Sequence, residues 1–392
     1  MSLKAPAHPL LFAALGTLVF LNVYAPQSLL PLLSREFGAG AAEVGLVVGA
    51  TTLAMALASP VAGVLADAWG RRRTVVAAFA LLAVPAVLAT LAPTLPLLNA
   101  ARFAQGLLIP GVMVALNAYI AEEVAPARRA RALTAYVTGT VLGGFLGRFL
   151  AGLVAAPGGW QAAFWLLAAA SLAGLVLAFV GLPRETAFTP RRDPRAVLAG
   201  LAAHLRNPAL LATCAVGFLL LFTLVGTFNT LTLRLAETPY NLGTAGTGAV
   251  FAVYLLGVVV TPVAGPFLAA RGPHIGLLAA VVLSVAGLLV TLASPLSIVV
   301  AGVAAGACGV FLGQSAALAA VQRHVTGARS LATGLYHLAY YGGGAAASVA
   351  AGHTFEAGGW PAVVPLVAGS MALAAVVGAV GWRRAGSGTT AA

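Results

Sequence analysis

The sequence predicts an all-α integral membrane protein with twelve transmembrane helices in two pseudo-symmetric six-helix bundles. Three observations carry this prediction: an apolar composition, twelve apolar runs of membrane-spanning length, and an internal repeat. Of the 392 residues, 61% are hydrophobic and only 8% are charged. Because a soluble domain carries about 25% charged residues, most of this chain must have lipid as its solvent.

The apolar runs have the length of membrane spans, since crossing the hydrocarbon core takes about 20 residues at ~1.5 Å each. The first run is too long for the core of a secretory signal, and we expect it to be retained as a helix. The predicted spans are residues 10–33, 43–66, 74–92, 95–121, 132–156, 160–182, 207–235, 244–269, 273–292, 295–321, 328–353 and 359–382.

One long polar segment separates the sixth span from the seventh. We therefore predict an N-terminal six-helix bundle at 1–183, a linker at 184–206 and a C-terminal six-helix bundle at 207–392. The linker is rich in arginine, and its prolines discourage a continuous helix. We expect it to lie on the cytoplasmic membrane surface.

The two halves repeat each other at a constant offset. A shift of 200 residues superposes Tyr136, Gly143, Gly144, Gly152 and Trp160 on Tyr336, Gly343, Gly344, Gly352 and Trp360. A shared offset across a tyrosine, several glycines and a Gly-Gly-Trp turn indicates duplication. Two similar bundles in parallel arrangement are typical of alternating-access transporters.

The basic residues indicate orientation and not a nucleic-acid partner. If the N-terminus is cytoplasmic, most arginines fall on the cytoplasmic side, so both termini are predicted there and the net charge of +12 is explained. The two cysteines, Cys214 and Cys308, give neither a disulfide framework nor metal-ligand spacing. Without a recognisable catalytic motif either, we expect no enzyme, no metal and no cofactor.

The loop after the second span reads GVLADAWGRRRTV. By charge alone it is an ordinary positive-inside loop with one aspartate. Its spacing, however, resembles the signature loop of the major facilitator superfamily, Gly-x-Leu-Ala-Asp-x-x-Gly-Arg-Arg. The matching residues are Gly63, Leu65, Ala66, Asp67, Gly70, Arg71 and Arg72. The resemblance implies that Asp67 pairs with a neighbouring arginine and accepts hydrogen bonds from the start of the eleventh helix, near residues 326–330, as a gating latch.

Three further stretches resemble motifs of the same superfamily. RFAQGLLIPG resembles its fourth-helix Arg-x-x-x-Gly pattern at Arg102 and Gly106. YIAEEVAPARRAR resembles its acidic-proline-arginine junction, which implies gating roles for Glu122 or Glu123 near Arg128 and Arg131. GTVLGGFLGR is similar to the fifth-helix packing motif of drug/proton antiporters, with glycines in place at Gly139, Gly143, Gly144 and Gly147.

The glycine motif departs from the antiporter pattern at two positions. Gly144 replaces the usual proline, and Arg148 replaces the last glycine. The whole chain still resembles the efflux-permease-like branch of the twelve-helix antiporters, which implies proton-coupled export.

Two arginines stand inside predicted spans. Arg102 and Arg148 lie about 10 and 12 Å below the outer helix ends, at the level of Gln27 and Asn229. A lipid-facing arginine costs a few kcal/mol, and all nine acidic residues fall at helix ends or in loops. We therefore predict a cavity that favours anionic, zwitterionic or polar neutral substrates over cations. Snorkelling, or an ion pair with a glutamate near the outer surface, is the structural alternative.

The eleventh span contains YHLAYYGGG, which sets Tyr336, His337, Tyr340 and Tyr341 on one side of a helix. Tyrosine hydroxyls are poorly satisfied in lipid, so a cavity face is predicted; a hydrogen-bonded cluster between helices is the alternative. His337 is the candidate proton carrier, or else a structural hydrogen-bonding residue. Asn22 and Tyr24 of the first span are further cavity candidates.

The sequence thus predicts a monomeric secondary active transporter of a bacterial-type inner membrane. It would move a small organic solute by alternating access, with proton-coupled efflux implied by the resemblance. An organic-anion exchanger or uptake carrier with Arg102 and Arg148 as ligands is an alternative. A non-transporting receptor is another, which would need a soluble signalling domain.

Overall fold

The structure is a computed structural model that describes residues 8–185, 194–325 and 329–383, with the side chains of 194–199, 329–330 and 383 excepted. Its elements are helical. The α-helices are α1 (Pro9–Tyr24), α2 (Leu30–Phe37), α3 (Ala41–Trp69), α4 (Arg71–Thr90), α5 (Leu95–Glu123), α6 (Pro126–Gly181), α7 (Pro194–Leu205), α8 (Pro208–Ala236), α9 (Thr244–Val250), α10 (Leu256–Val290), α11 (Leu296–His324) and α12 (Arg329–Arg383), with 3₁₀ helices at Ala25–Leu29 and Phe251–Leu255.

Nine helical stretches within the described residues are long and apolar enough to cross a membrane. Three helices, α6, α10 and α12, contain a break in helical backbone: at Gly159, at Gly272, and at Gly358 with Gly359. Gly159, Gly272 and Gly359 have φ of 70°, 80° and 63°, a region that glycine adopts without steric cost. These glycines fall where the sequence predicts one span to end and the next to begin.

Two predicted spans are not continuous helices. The span predicted at 10–33 divides into α1, the 3₁₀ segment Ala25–Leu29 and α2, because Pro26 has no N–H to donate to the carbonyl of Asn22. The span predicted at 244–269 is interrupted by the 3₁₀ segment Phe251–Leu255. Helix α7 forms within the predicted linker and begins at Pro194, a position that tolerates proline; residues 186–193 of that linker lie outside the described ranges.

The chain divides into two compact units. The first comprises Met1–Ala39, Ala50–Arg192 and Leu242–Ala252, and the second comprises Gly40–Gly49, Asp193–Asn241 and Val253–Ala392. Among their described residues, α1 packs along α6 and α4 along α5 in the first unit, and α8 packs along α12 and α10 along α11 in the second. Leu242–Ala252 thus groups with the first unit and Gly40–Gly49 with the second, each apart from its neighbours in sequence. The predicted bundle boundaries stay a prediction.

Candidate functional site

The break after α1 carries the first group of buried polar residues, all in the first unit. Arg102, on α5 and with 0% exposure, donates from its guanidinium to the carbonyl of Asn22 at 3.0 Å and to that of Val23 at 2.8 Å. These are the carbonyls that a helix end leaves without intrahelical donors. Arg102 therefore stabilises the interruption that Pro26 introduces.

Gln105 lies one turn along α5 from Arg102, and the sequence analysis missed it. Its side-chain oxygen accepts from Arg102 Nη1 at 2.5 Å. Gln105 is fully buried, and its Nε2 has no hydrogen-bond partner within the described residues. The i, i+3 spacing from an intramembrane arginine is the signal that would have indicated it.

Arg148 on α6 makes its described side-chain contacts with an amide, a carbonyl and two aromatic rings. Its Nε donates to Gln27 Oε1 at 2.6 Å, and its Nη1 donates to the carbonyl of Gly144. The guanidinium carbon lies 4.7 Å from the ring centroid of Tyr24 and 4.8 Å from that of Phe251. With 1% exposure, this side chain is a buried positive charge held by amide, carbonyl and aromatic groups.

The structure thus brings the predicted residues Tyr24, Gln27 and Arg148 together. Phe251 was missed because it lies far along the chain, in a segment that joins the first unit. The amide of Asn22 bonds locally, donating from Nδ2 to the Leu18 carbonyl at 3.0 Å and accepting at Oδ1 from Ser171 at 3.4 Å.

The second unit carries the four aromatic residues predicted on α12. Ring centroids of Tyr336 and Tyr340 lie 5.8 Å apart, those of His337 and Tyr341 5.9 Å, and those of Tyr340 and Tyr341 5.4 Å. Tyr336 is fully buried against Gly217 of α8, and its hydroxyl has no hydrogen-bond partner in the described part of the chain. The group is compact, and it has one buried hydroxyl available to a further polar group.

Asn229 of α8 contacts α12 at a position about two turns beyond Tyr341. Its Nδ2 donates to Ser348 Oγ at 3.2 Å, and both residues are buried. Ser348 is the residue that the 200-residue offset superposes on Arg148. The duplicated helices therefore carry a hydroxyl at one position and a guanidinium at the other.

The signature loop forms an ion-pair network around Arg71. Arg71 Nη2 lies 2.5 Å from Asp67 Oδ1 and 3.0 Å from Glu122 Oε1, while its Nε donates to Glu122 Oε2 at 3.2 Å. The sequence analysis expected Asp67 to pair with a neighbouring arginine, and Arg71, buried at 7% exposure, makes that contact. The expected proximity of Glu122 or Glu123 to Arg128 and Arg131 stays a prediction. The expected contact of Asp67 with residues 326–330 involves residues 326–328, which lie outside the described ranges.

Glu185 adds a contact to this loop that the sequence did not indicate. Its Oε1 accepts from the backbone N–H of Arg72 at 2.5 Å, at the N-terminus of α4, where a carboxylate is favoured. The Arg72 guanidinium in turn donates to the carbonyls of Leu182 at 2.7 Å and Phe179 at 2.6 Å. Gly70 has φ of 100°, so the turn between α3 and α4 requires glycine. Gly63 and Glu123 complete the predicted gating set.

The fifth-helix glycines allow α6 to approach α1 closely. A Cβ at Gly139, Gly143 or Gly147 would collide with the backbone of Ala13, Thr17 or Leu21. Their four-residue spacing is that of small residues at membrane helix interfaces. Gly144 has a different role, because its carbonyl accepts a hydrogen bond from Arg148.

Comparisons with known proteins agree with this architecture. The profile of the Major Facilitator Superfamily matches residues 12–248. The chain is 32% identical over 369 residues to the inner membrane transport protein YnfM of Escherichia coli (strain K12), covering 94% of this chain and 88% of YnfM. It is 28% identical over 357 residues to the uncharacterized MFS-type transporter YybF of Bacillus subtilis (strain 168), covering 91% and 88%.

Solved structures share the fold at low sequence identity. A bacterial homolog of the human lysosomal transporter Spinster, in an inward-facing and occupied conformation, matches with a TM-score of 0.72 and 16% identity over 97% of this chain and 96% of that one. The nucleoside transporter NupG matches with a TM-score of 0.72 and 14% identity over 94% and 99%. From these matches and its long apolar helices, the chain is a multi-pass membrane protein that belongs to the Major Facilitator Superfamily.

Proposed function

We propose that this chain is a twelve-helix secondary active transporter that moves a small organic solute across a bacterial-type inner membrane by alternating access. The two six-helix bundles would be residues 1–183 and 207–392, joined by the linker at 184–206, with both termini cytoplasmic. The relation to YnfM, an inner membrane transport protein, supports this location. We expect the functional unit to be a monomer.

The lengths of the helices support twelve crossings. As one straight helix, the 56 residues of α6 would be about 84 Å long at 1.5 Å per residue, far more than the ~30 Å hydrocarbon core. A turn at Gly159 lets α6 cross twice, and the same reasoning applies to α10 at Gly272 and to α12 at Gly358 and Gly359. Nine apolar stretches then give twelve spans.

The buried guanidinium of Arg148 is the observation that carries the substrate class. The hydrogen bonds and ring contacts described for it come from uncharged groups. All nine acidic residues of the sequence fall at predicted helix ends or in loops, and a guanidinium at this depth of a predicted span suits a ligand with a carboxylate or another electron-rich group. We therefore propose an anionic, zwitterionic or polar neutral substrate, with Arg148 as its main ligand. Gln27, Tyr24 and Arg102 would support it.

Polar and aromatic residues of the second unit are further proposed substrate-binding residues. Tyr336, with its buried hydroxyl, and Tyr340 and Tyr341 are the candidates, together with Asn229. His337 is the proposed proton carrier, because the unperturbed titration of histidine lies near neutral pH and His337 lies inside the eleventh predicted span, whereas His274 and His353 stand at the ends of their spans. The fifth-helix glycines Gly139, Gly143, Gly144 and Gly147 support the efflux-permease-like branch and proton-coupled efflux.

An organic-anion exchanger or uptake carrier is the second candidate, favoured by the same arginine. The two functions differ in what drives them. In proteoliposomes, a pH gradient alone should drive a proton antiporter, whereas counter-substrate alone should drive an exchanger. His337→Gln should abolish the pH-driven flux and leave counterflow intact if His337 carries the proton.

The substrate class is tested by a thermal-shift screen of purified protein against carboxylates, amino acids, sugars and organic cations. We expect carboxylates or zwitterions to raise the unfolding temperature of the wild type, with the shift lost in Arg148→Gln. Stabilisation by cations alone would overturn the proposed substrate class. Transport of the best ligand into proteoliposomes then tests the transporter assignment separately.

The Arg71 network is proposed to gate the cycle through Asp67, Glu122 and Arg131, with Gly63 and Gly70 shaping the loop. Asp67→Asn neutralises one of the carboxylates described in contact with Arg71, so we expect transport to slow by about tenfold with ligand affinity unchanged. Flux and equilibrium binding measured on one preparation separate the two effects. Unchanged flux would contradict the gating role.

A further inference from the structure

A small cavity lies inside the second unit, between α8, α10 and α11. Its lining includes Thr227 of α8, Ser284 of α10 and Gly306 of α11, and the other walls are mostly apolar, with Leu288 and Val303 among them. All five residues are buried, and the space has room for about one water molecule. The cavity is therefore enclosed by protein, at positions within the predicted membrane spans.

Thr227 differs from its neighbouring threonines on α8 in how its hydroxyl is used. Thr223 and Thr230 each donate to the helix carbonyl four residues earlier, at 2.9 and 2.7 Å. Thr227 Oγ1 is buried and has no hydrogen-bond partner within the residues that the structure describes. A buried hydroxyl without a partner carries a desolvation penalty, and bulk water does not relieve it inside a membrane span. The Thr227 hydroxyl is therefore suited to a polar molecule in the cavity.

Ser284 and Gly306 supply a second hydroxyl and the space beside it. Ser284 Oγ donates to the carbonyl of Gly306 at 3.2 Å, and its oxygen can still accept a hydrogen bond. A Cβ at the buried Gly306 would have one neighbour within 4 Å, the carbonyl oxygen of Ser284 at 3.9 Å. At Gly309, one turn along α11, a Cβ would collide with the Ser284 hydroxyl. The contact between α10 and α11 is thus close at Gly309 and open at Gly306.

We propose that this cavity binds a single water molecule that bridges α8 and α10. The water accepts a hydrogen bond from Thr227 Oγ1 and donates one to Ser284 Oγ, and these two partners are the fewest that a buried water typically has. The space excludes larger molecules. Apolar walls such as Leu288 and Val303 disfavour an ion, because they do not replace its hydration shell. The site lies apart from the proposed substrate-binding residues and does not depend on the proposed function.

Thr227→Val tests the bridge, because it keeps the approximate volume of the side chain and removes the hydroxyl. The loss of the bridging water should lower the unfolding temperature of the full-length protein in detergent by about 2 °C. A dry, unpartnered hydroxyl would give the opposite sign, since its replacement by a methyl group removes the desolvation penalty. An unchanged or higher unfolding temperature would therefore overturn the proposal.

Gly306→Ala places a methyl group in the space of the proposed water. It should lower the unfolding temperature relative to Gly369→Ala, the matched control for helix propensity, because Gly369 is exposed and has nothing within 4 Å of its Cβ position. Adding Thr227→Val should restore most of this loss, since the double variant has neither the water nor the unpartnered hydroxyl. If Gly306→Ala were more stable than Gly369→Ala, the methyl group would be filling a dry cavity, and the proposal would fail.

Hydroxyl-radical labelling in nanodiscs detects the water directly, because radicals formed from a bound water modify the side chains beside it. Leu288 should be labelled several-fold faster in the wild type than Leu220, a comparably buried leucine of α8. The difference should disappear in Thr227→Val. Equal labelling of the two leucines in the wild type would overturn the proposal, whatever the stability of the variants.

Discussion

Two regions related by the internal repeat make a similar close backbone contact but differ in the side chains around it. In the first unit the segment Leu242–Ala252 packs on α6, and in the second the segment Gly40–Gly49 packs on α12. A Cβ at Gly248 would lie 2.9 Å from the carbonyl oxygen of Arg148, and one at Gly45 would lie 2.6 Å from that of Ser348. The backbone approach is thus shared, and the side chains at the equivalent positions are an arginine and a serine.

The difference separates features that both units share from features found in one unit. Glycines that permit close backbone contact occur in both units, because both contacts need them. The guanidinium of Arg148, with the rings of Tyr24 and Phe251, occurs in the first unit, while Ser348 accepts a hydrogen bond from Asn229 in the second. This asymmetry is consistent with the proposal that Arg148 is the ligand-binding residue.

The largest expected effect comes from disrupting the close backbone contact that glycine permits in each unit. A Cβ at Gly352 would collide with the backbone of Ala42, and one at Gly152 with the carbonyl of Thr244. Because backbone atoms yield less readily than side chains, Gly352→Leu and Gly152→Leu should each destabilise the protein by about 3 kcal/mol or more. Thermal unfolding and gel filtration in detergent measure this.

Gly369→Leu is the matched control for these variants, since Gly369 is exposed on the same helix as Gly352 and has nothing within 4 Å of its Cβ position. It should leave the unfolding temperature unchanged. If Gly352→Leu and Gly152→Leu behaved like this control, the close contacts would not be needed for folding.

The next largest effect compares ligand affinity after substitution of Arg148 in the first unit and of Ser348 in the second. Arg148→Gln removes a charged donor, so the affinity for the carboxylate that binds best in the screen should fall by about tenfold or more. Ser348→Ala removes a neutral partner of Asn229 and should change the affinity by less than about threefold. Calorimetry on both variants tests this ordering. Equal losses would mean that the asymmetry between the units does not mark the ligand site.

Much of the fold was predictable from local patterns. Apolar runs bounded by glycine, proline and charge predicted the long helices. The breaks at Gly159 and Gly272 fall in predicted gaps, and the break at Gly358 and Gly359 lies where a predicted gap meets the last span. The interruption after Tyr24 was not predicted, although Pro26 removes a hydrogen-bond donor there. The reason is that the interruption also needs Arg102, on another helix, to satisfy the carbonyls of Asn22 and Val23.

The candidate site was predictable only in part. A charge or a cluster of tyrosines inside an apolar run is visible in sequence, so Arg148 and Tyr336 were identified. Phe251 and Glu185 were not, because an ordinary phenylalanine and a loop glutamate acquire their roles only through long-range packing. No helical periodicity records that Phe251 covers a guanidinium about 100 residues earlier in the chain.

A smaller effect is expected from removing the hydrogen bond between the segment Leu242–Ala252 and α6. Thr244→Val keeps the volume of the side chain and removes the donor to the Gly152 carbonyl. The loss should destabilise the protein by about 1 kcal/mol and speed hydrogen exchange at residues 242–252, while residues 40–49 stay as protected as in the wild type. Faster exchange in both segments would mean that Thr244 acts on the whole protein.

The smallest effect concerns the corresponding polar contact in the second unit. Glu356 Oε1 accepts from the backbone N–H of Ala42 at 3.0 Å, at the start of α3, and its Oε2 lies 3.2 Å from His353 Nδ1. Glu356→Gln keeps an acceptor and removes the charge that the helix N-terminus favours, so the loss should be about 0.5 kcal/mol.

Salt distinguishes this contact from the one made by Thr244. Because the side chain of Glu356 is 39% exposed, its charge is screened by ions, and the difference between Glu356→Gln and the wild type should shrink when the salt concentration rises from 0.01 to about 1 M. The effect of Thr244→Val, a neutral hydrogen bond, should not change. If the Glu356 effect persisted at high salt, a hydrogen bond and not a charge would fasten the second-unit segment, and the two units would be more alike than their sequences indicate.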